Sequence, residues 1–362
     1  MSARILITGG AGFVGTNLAR RLLMTGAQVR VFDSLARAGC EDNVAWMNQQ
    51  FPGSVEYLRG DIRDEEAVRA AVTGVDHVFH LAAQVAVTTS LTNPREDFDV
   101  NACGALNVLE AARACARPPS IAYSSTNKVY GVLPDLDVRA RATRYEPVDE
   151  TVRARGVSEA RPLDFHSPYG CSKGAAEQYV LDYSRSYGLS TVVLRMSCIY
   201  GPHQHGNEDQ GWVAHFVRRA LADRPITIFG DGLQVRDVLF VEDLVDAFER
   251  ARRNIHRLSG QAFNIGGGAS NSISILELIR QIEQLTGRRL QTRFDEWRVG
   301  DQRYYVSDTA KFQAATGWRP ETDIHTGLAA LCDWFEIAEH SPGGVAVRHV
   351  SESYASAGAP PS

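Results

Sequence analysis

Residues 4–15 read Arg-Ile-Leu-Ile-Thr-Gly-Gly-Ala-Gly-Phe-Val-Gly, and their interpretation decides the fold. The apolar run 4–8, bounded by glycine, has the length and character of a buried parallel strand, and the pattern after it predicts a helix over 13–25. Gly9, Gly12 and Gly15 then have separate tasks. One permits a tight turn, one lets backbone approach a pyrophosphate, and one packs the helix on its strand. The helix start presents free N–H groups to an anion. A second strand over 29–32 ends in Asp33, whose carboxylate suits the hydroxyls of an adenosine ribose. Strand, glycine loop, helix, strand and acid in that order favour a dinucleotide site over an ordinary glycine turn.

Working outward, strand and helix signals alternate. Strands are expected over 55–58, 77–80, 121–124 and 191–194, and helices over 64–72, 94–115 and 168–187. Such alternation predicts a doubly wound parallel α/β sheet, the Rossmann fold of dinucleotide-binding proteins. Between Tyr130 and Ser167 the pattern lapses into a stretch rich in both charge signs, which reads equally as a solvated excursion or as a lid. Beyond Gly201 the elements shorten: helices over 212–221, 241–253, 274–286 and 324–338, and a strand over 226–229. We therefore expect a nucleotide domain of residues 1–196, to which 237–263 returns. A smaller, mainly C-terminal α/β lobe takes 197–236 and 264–340. Residues 341–362, rich in Gly, Ala, Ser and Pro, are expected not to fold.

A chain of 362 residues suits one large lobe and one smaller one. The net charge of -5 gives no electrostatic reason to expect nucleic acid or an anionic membrane as partner. The six cysteines lack paired spacing and read as reduced thiols of a cytoplasmic protein, with neither a disulfide frame nor a zinc site. No apolar run reaches membrane-spanning length.

Ser167-Pro168-Tyr169-Gly170-Cys171-Ser172-Lys173 opens a helix, with Ser167 able to cap it and Pro168 suited to the first position. Tyr169 and Lys173, four apart, share a face. An unperturbed phenol titrates near 10, too high for a base at neutral pH. A neighbouring ammonium and an oxidised nicotinamide would both favour the phenolate, so Tyr169 could take a proton from a sugar hydroxyl. The run Tyr123-Ser124-Ser125-Thr126-Asn127-Lys128 follows the strand that ends nearest a nicotinamide. Thr126 there could bond the reacting oxygen, or its hydroxyl could only satisfy strand-end backbone.

The set Gly9/Gly12/Gly15, Asp33, Gly60-Asp61, His80-Leu81-Ala82-Ala83-Gln84, Thr126 and Tyr169/Lys173 resembles the extended short-chain dehydrogenase/reductase family of nucleotide-sugar epimerases and dehydratases, over residues 4–338. Within it, the runs 124–131, 164–174 and 209–213 resemble the branch of CDP-tyvelose (CDP-paratose) 2-epimerases, as does the 130–167 excursion. The resemblance implies a tightly bound, retained NAD lined by Gly9, Gly12, Phe13, Val14, Gly15, Asp33, Asp61, Ile62, Leu81, Ala82, Gln84, Asn101, Ser124, Tyr169 and Lys173. Thr126, Tyr169 and Lys173 would be catalytic. Asp33 disfavours a 2′-phosphate by repulsion, while Arg37 leaves NADP open. A nucleotide-diphosphate sugar would meet Thr126, Asn127, Lys128, Arg236, Arg298 and Asp301. Guanidinium forks suit phosphate oxygens, although either arginine could instead pair with Asp237 or Asp301. The resemblance also implies a homo-oligomer, dimer or tetramer, paired through two long helices.

Relatives that eliminate water carry an Asp-Glu pair after the catalytic threonine, whereas Asn127-Lys128 stand here, so dehydration is not expected. Cys198 stands where many relatives place an amide on the diphosphate. His203 and His205 lack a ligand set, and no metal is expected. Asn264-Ile265-Gly266-Gly267-Gly268 reads as a strand-end turn and not a second nucleotide loop. The expected activity is epimerisation of a nucleotide-activated sugar, at C2 of a CDP-sugar by the branch resemblance. C4 chemistry, a UDP or GDP carrier, a net dehydrogenase and a non-catalytic NAD-binding protein remain as alternatives.

Overall fold

The structure, a computed structural model, describes residues 2–340; the expectation for 341–362 lies outside the described residues. Seven parallel strands form the main sheet: β1 (Arg4–Thr8), β2 (Gln28–Asp33), β3 (Val55–Arg59), β4 (His77–His80), β5 (Ser120–Thr126), β6 (Thr191–Met196) and β7 (Gln261–Ile265). Their order is β7-β6-β5-β4-β1-β2-β3. The order reverses beside β1, which pairs with β2 on one side and β4 on the other. That reversal opens a crevice beyond the carboxyl ends of β1 and β4, the place where open α/β sheets bind ligands.

The sheet is apolar on both faces because helices cover both. Ile5 and Ile7 face a core with Leu18 and Leu22 of α1 (Phe13–Met24) and Phe248 of the Val241–Arg253 helix. Leu6 points the other way, into a core with Tyr123, Leu109, and Val180 of α3 (Ser167–Tyr187). Truncating a fully buried Phe such as Phe248 costs about 3–5 kcal/mol.

Two helical readings differ from expectation. A helix α2 (Cys40–Gln50) stands where the sequence predicts none; its face is mostly polar, and Trp46 packs on the His203 ring at 4.2 Å. The expected helix over 94–115 is broken into Pro94–Phe98, a wide π turn at Asp99–Cys103, and Gly104–Arg113. Such bulges rotate side chains out of the regular helical register, often at functional sites.

The second lobe holds a small sheet on Val235–Phe240, paired with Ser272–Ser274, Tyr304–Tyr305 and Cys198–Tyr200. Ile226–Phe229 pairs separately with Thr292–Asp295. Helices Trp212–Leu221, Ile275–Thr286 and Ile324–His340 contribute to the core behind these strands. A capping box, Ser274 with Glu277, starts the second of these helices.

The 131–167 excursion is exposed over much of its length, as at Arg139, Arg141, Glu150 and Arg153, yet it is not free. Its hairpin, Val138–Ala140 with Tyr145–Pro147, and the helix Glu150–Arg155 are tied to the second lobe. Arg144 pairs with Glu277 at 2.5 Å, the Tyr145 hydroxyl donates to Asp231 at 2.5 Å, and Val157 N–H donates to Val306 O at 2.7 Å. Leu133, Val157 and Tyr305 form a small core beneath it with Tyr130.

Candidate functional site

The glycine loop is built for close approach. Gly9 has φ +69°, and a Cβ there would lie 2.7 Å from the Ala82 nitrogen. At Gly15 a Cβ would lie 2.5 Å from the Gly10 Cα, so helix and loop touch backbone to backbone. The α1 start at Gly12 has no side-chain cap and no acid in its first turn, leaving it free to meet an anion. Phe13 and Val14 pack partly against the core behind it.

Asp33 ends β2 with its carboxylate accepting from Leu35 N–H at 2.8 Å and Ala11 N–H at 3.0 Å. Burial raises its pKa, opposed by those N–H groups and by the Arg37 charge. Asp61 follows β3 and is paired with Arg63 at 2.6 Å, while Ile62 is buried beneath Gly104. Leu81 and Ala82 follow β4 against the Gly9 turn. Gln84 has its side chain turned onto its own loop, accepting from Ala86 N–H at 2.6 Å and donating to Ala86 O at 2.8 Å. Its backbone N–H donates to Asn101 at 2.9 Å. These residues fit a dinucleotide: a glycine cradle that a Cβ would fill, an uncapped helix start, and a carboxylate at the ribose end of the crevice.

The residues expected to react lie across β5 and α3. Tyr169 stands beside Thr126, with burial raising its phenol to about 12 against a lowering contribution from the Thr126 hydroxyl. Thr126 Oγ1 also accepts from Lys128 N–H at 3.2 Å, which fixes the turn after the strand. The Lys173 ammonium does not rest on the phenol as expected. It donates to Ser124 O at 2.5 Å and lies 4.2 Å from the centre of the Tyr123 ring. Burial lowers it to about 7, opposed by Glu177 and Asp97; a buried cation settles on the nearest acceptors. Ser167, at φ 64°, accepts from Gly170 N–H at 3.3 Å at the start of α3.

Two buried networks behind this pair carry no local sequence motif. The π turn brings Asn101 to Ser172 at 3.0 Å, and Ser172 donates to Asp97 at 2.5 Å. One turn past Lys173, Glu177 accepts from Ser125 at 2.7 Å and pairs with Arg195 at 2.5 Å. The only sequence signal for Glu177 is its i+4 spacing from Lys173; its partners lie far along the chain.

Opposite, Lys128, Arg236 and Asp301 converge. Arg236 pairs with Asp301 at 2.5 Å and Lys128 lies 3.7 Å from the same oxygen. Burial pushes the Asp301 carboxyl up, but Arg236 and Lys128 outweigh it and hold it below the usual range. Asp237 bonds instead to Ser197 and Gly268 N–H. Arg298 is paired with Asp209 at 3.3 Å and lies over the Phe229 ring. Asn127 is buried and accepts weakly from Thr126 at 3.4 Å. Cys198 accepts from the Trp212 indole at 3.5 Å, beside Arg236 and Lys128. His203 and His205 pack on Trp334. Among the described residues no helix is long and apolar enough to cross a membrane.

A family model described as NAD dependent epimerase/dehydratase matches residues 5–266. CDP-paratose 2-epimerase of Salmonella typhi is 44% identical over 338 residues, spanning 91% of this chain and 98% of that protein. UDP-glucose 4-epimerase of Mycolicibacterium smegmatis is 33% identical, spanning 92% of this chain and 98% of its own. The crystal structure of Thermus thermophilus UDP-glucose 4-epimerase in complex with NAD has a TM-score of 0.76 at 32% identity, covering 92% of this chain and 99% of that one.

Proposed function

Because the chain belongs to the NAD dependent epimerase/dehydratase family, we propose that it inverts C2 of a CDP-linked sugar through a 2-keto sugar, with a cofactor that stays bound. The observation that carries this reading is Tyr169 beside Thr126 with Asn127-Lys128 following, where elimination would need an acid and a base. Similarity over nearly the full length to a CDP-paratose 2-epimerase supports the choice of carbon and carrier.

Gly9, Gly12, Gly15 and the α1 start would hold the pyrophosphate, and Asp33 the adenosine ribose. Held there, NAD would supply the hydride acceptor and donor, and its positive charge would favour the Tyr169 phenolate against burial. Tyr169 takes the proton of the C2 hydroxyl and later gives a proton back to the C2 oxygen of the inverted sugar. Thr126, beside that phenol, holds the sugar oxygen in line with it. Lys173 and the Asp97–Ser172–Asn101 cluster keep α3 seated so that the phenol faces the crevice. Arg236 and Lys128 grip the diphosphate while the keto sugar turns. No net oxidation results.

We also take the chain to self-associate, since Leu91, Phe98, Tyr179 and Tyr187 are exposed, and to work in a reducing compartment, as its six free cysteines suggest. The test is incubation of purified, NAD-loaded protein with CDP-paratose, following C2 by NMR. Formation of the C2 epimer without accumulation of reduced cofactor is expected; no change at C2 overturns the reading. Likeness to UDP-glucose 4-epimerases at 33% identity keeps C4 inversion as the second reading.

A further inference from the structure

Lys128 sits where two parts of the site meet. Its backbone N–H donates to Thr126 Oγ1 at 3.2 Å, two residues past the threonine that stands beside Tyr169. Its ammonium reaches the other way, donating to Gly300 O at 3.3 Å and lying 3.7 Å from Asp301 Oδ1. That oxygen already accepts from Arg236 at 2.5 Å and from Gln302 N–H at 3.0 Å. Two cations therefore share one carboxylate, and one positive charge is left over inside a largely buried cleft. An uncompensated cation in such a place is costly unless an anion joins it.

The chemistry of the sugar makes the position of that charge informative. In a nucleotide sugar the inner phosphorus is three bonds from C2 and five bonds from C4. If C2 is the carbon facing Tyr169, the inner phosphate must lie close to the catalytic pair; if C4 is, the whole ring stands between them. A cation carried by the residue two beyond Thr126 is suited to the first arrangement. Arg236, on a strand of the second lobe, can hold a diphosphate in either.

We propose that Lys128 selects the reacting carbon: its ammonium binds the inner phosphate beside Thr126 and Tyr169, so that the vicinal C2 falls in front of the phenol. The proposal rests on the C2 reading above. It also explains how both faces of C2 can be presented with little travel, because C2 lies next to the bond about which a phosphate-anchored sugar would turn.

The test compares Lys128→Met, Lys128→Gln and Lys128→Arg with the parent protein and with Arg236→Met. C2 inversion of CDP-paratose is followed by NMR, and CDP affinity by calorimetry. Removing a cation from a desolvated phosphate contact lowers the step it positions by about 10- to 100-fold. Lys128→Met and Lys128→Gln are expected to lower kcat for C2 inversion by about that factor while weakening CDP less than Arg236→Met does. Lys128→Arg is expected to recover most of kcat. Equal kcat in Lys128→Met and the parent, or a loss confined to CDP affinity, overturns the proposal; the melting temperature of each variant identifies one that fails to fold, and either neutral variant alone decides. A parent protein that binds CDP and inverts C4 but never C2 defeats the functional reading itself, and the carbon-selecting role with it. A parent active at C2 with fully active Lys128 variants defeats the role alone.

Discussion

Lys173 Nζ donates to the carbonyl oxygen of Ser124 at 2.5 Å, tying the middle of α3 to the end of β5 rather than to the phenol one turn away. Tyr169 thus stays protonated in the cofactor-free protein, with burial holding it at about 12. Its basicity becomes useful only when positive charge arrives in the crevice. Tyr169→Phe should lower kcat for C2 inversion by about 100- to 10,000-fold, with CDP and NAD affinities nearly unchanged. Steady-state NMR assays and calorimetry check both halves.

The Gly9 turn gives a second expectation. Alanine there must adopt a left-handed backbone and place its Cβ 2.7 Å from the Ala82 nitrogen. The conformation alone costs about 1–2 kcal/mol. Gly9→Ala should lower the melting temperature and yield protein with little or no NAD, read as the cofactor released on acid denaturation.

The Glu177–Arg195 pair is buried at the base of the site, with side-chain exposures of 0% and 6%. Breaking it from one side strands a charge and costs about 3–5 kcal/mol. Glu177→Gln or Arg195→Met should each show that loss in urea unfolding, while the double change Glu177→Leu with Arg195→Met loses much less. Because Ser125 bonds Glu177 next to Thr126, the double variant should still lose kcat.

Acid should loosen the 131–167 segment first. Burial pushes Glu277 up, but the Arg144 fork and the Ser274 N–H outweigh it and hold it at about 2 against an ordinary 4.5. A carboxylate with a depressed folded-state pKa stabilises fully above its unfolded value and loses that contribution as pH falls through the folded one. The window is therefore pH 4.5 down to about 2, for a contribution on the order of 3 kcal/mol. Stability measured by urea at pH 6, 4 and 3 should fall across that window, and more shallowly in Arg144→Met.

How much of this could be read from the chain follows from where the signals lie. The strands β1 to β6 announce themselves as short runs closed by glycine, acid or turn residues, and Tyr169, Lys173 and Thr126 stand out because each lies in a short motif of neighbouring residues. The helix α2 stays hidden because Glu41, Asp42, Asn43, Asn48, Gln49 and Gln50 swamp its apolar stripe, and a ring from 160 residues further on, His203, completes its packing. The Val235–Phe240 strand carries Arg236 and Asp237 in its interior, which breaks the expected pattern until Asp301 and Ser197 are seen to satisfy them. Glu177 escapes notice for the same reason, since Ser125 lies 52 positions away.

The segment 131–167 begins directly after the Asn127–Tyr130 turn, ends at the first residue of α3, and between those points is stitched to the second lobe at Asp231, Glu277 and Val306. The strap is thus anchored at one end beside Thr126 and at the other beside Tyr169. A substitution that unpins the strap at Asp231 or Glu277 would therefore be felt beside Thr126 from one end and beside Tyr169 from the other.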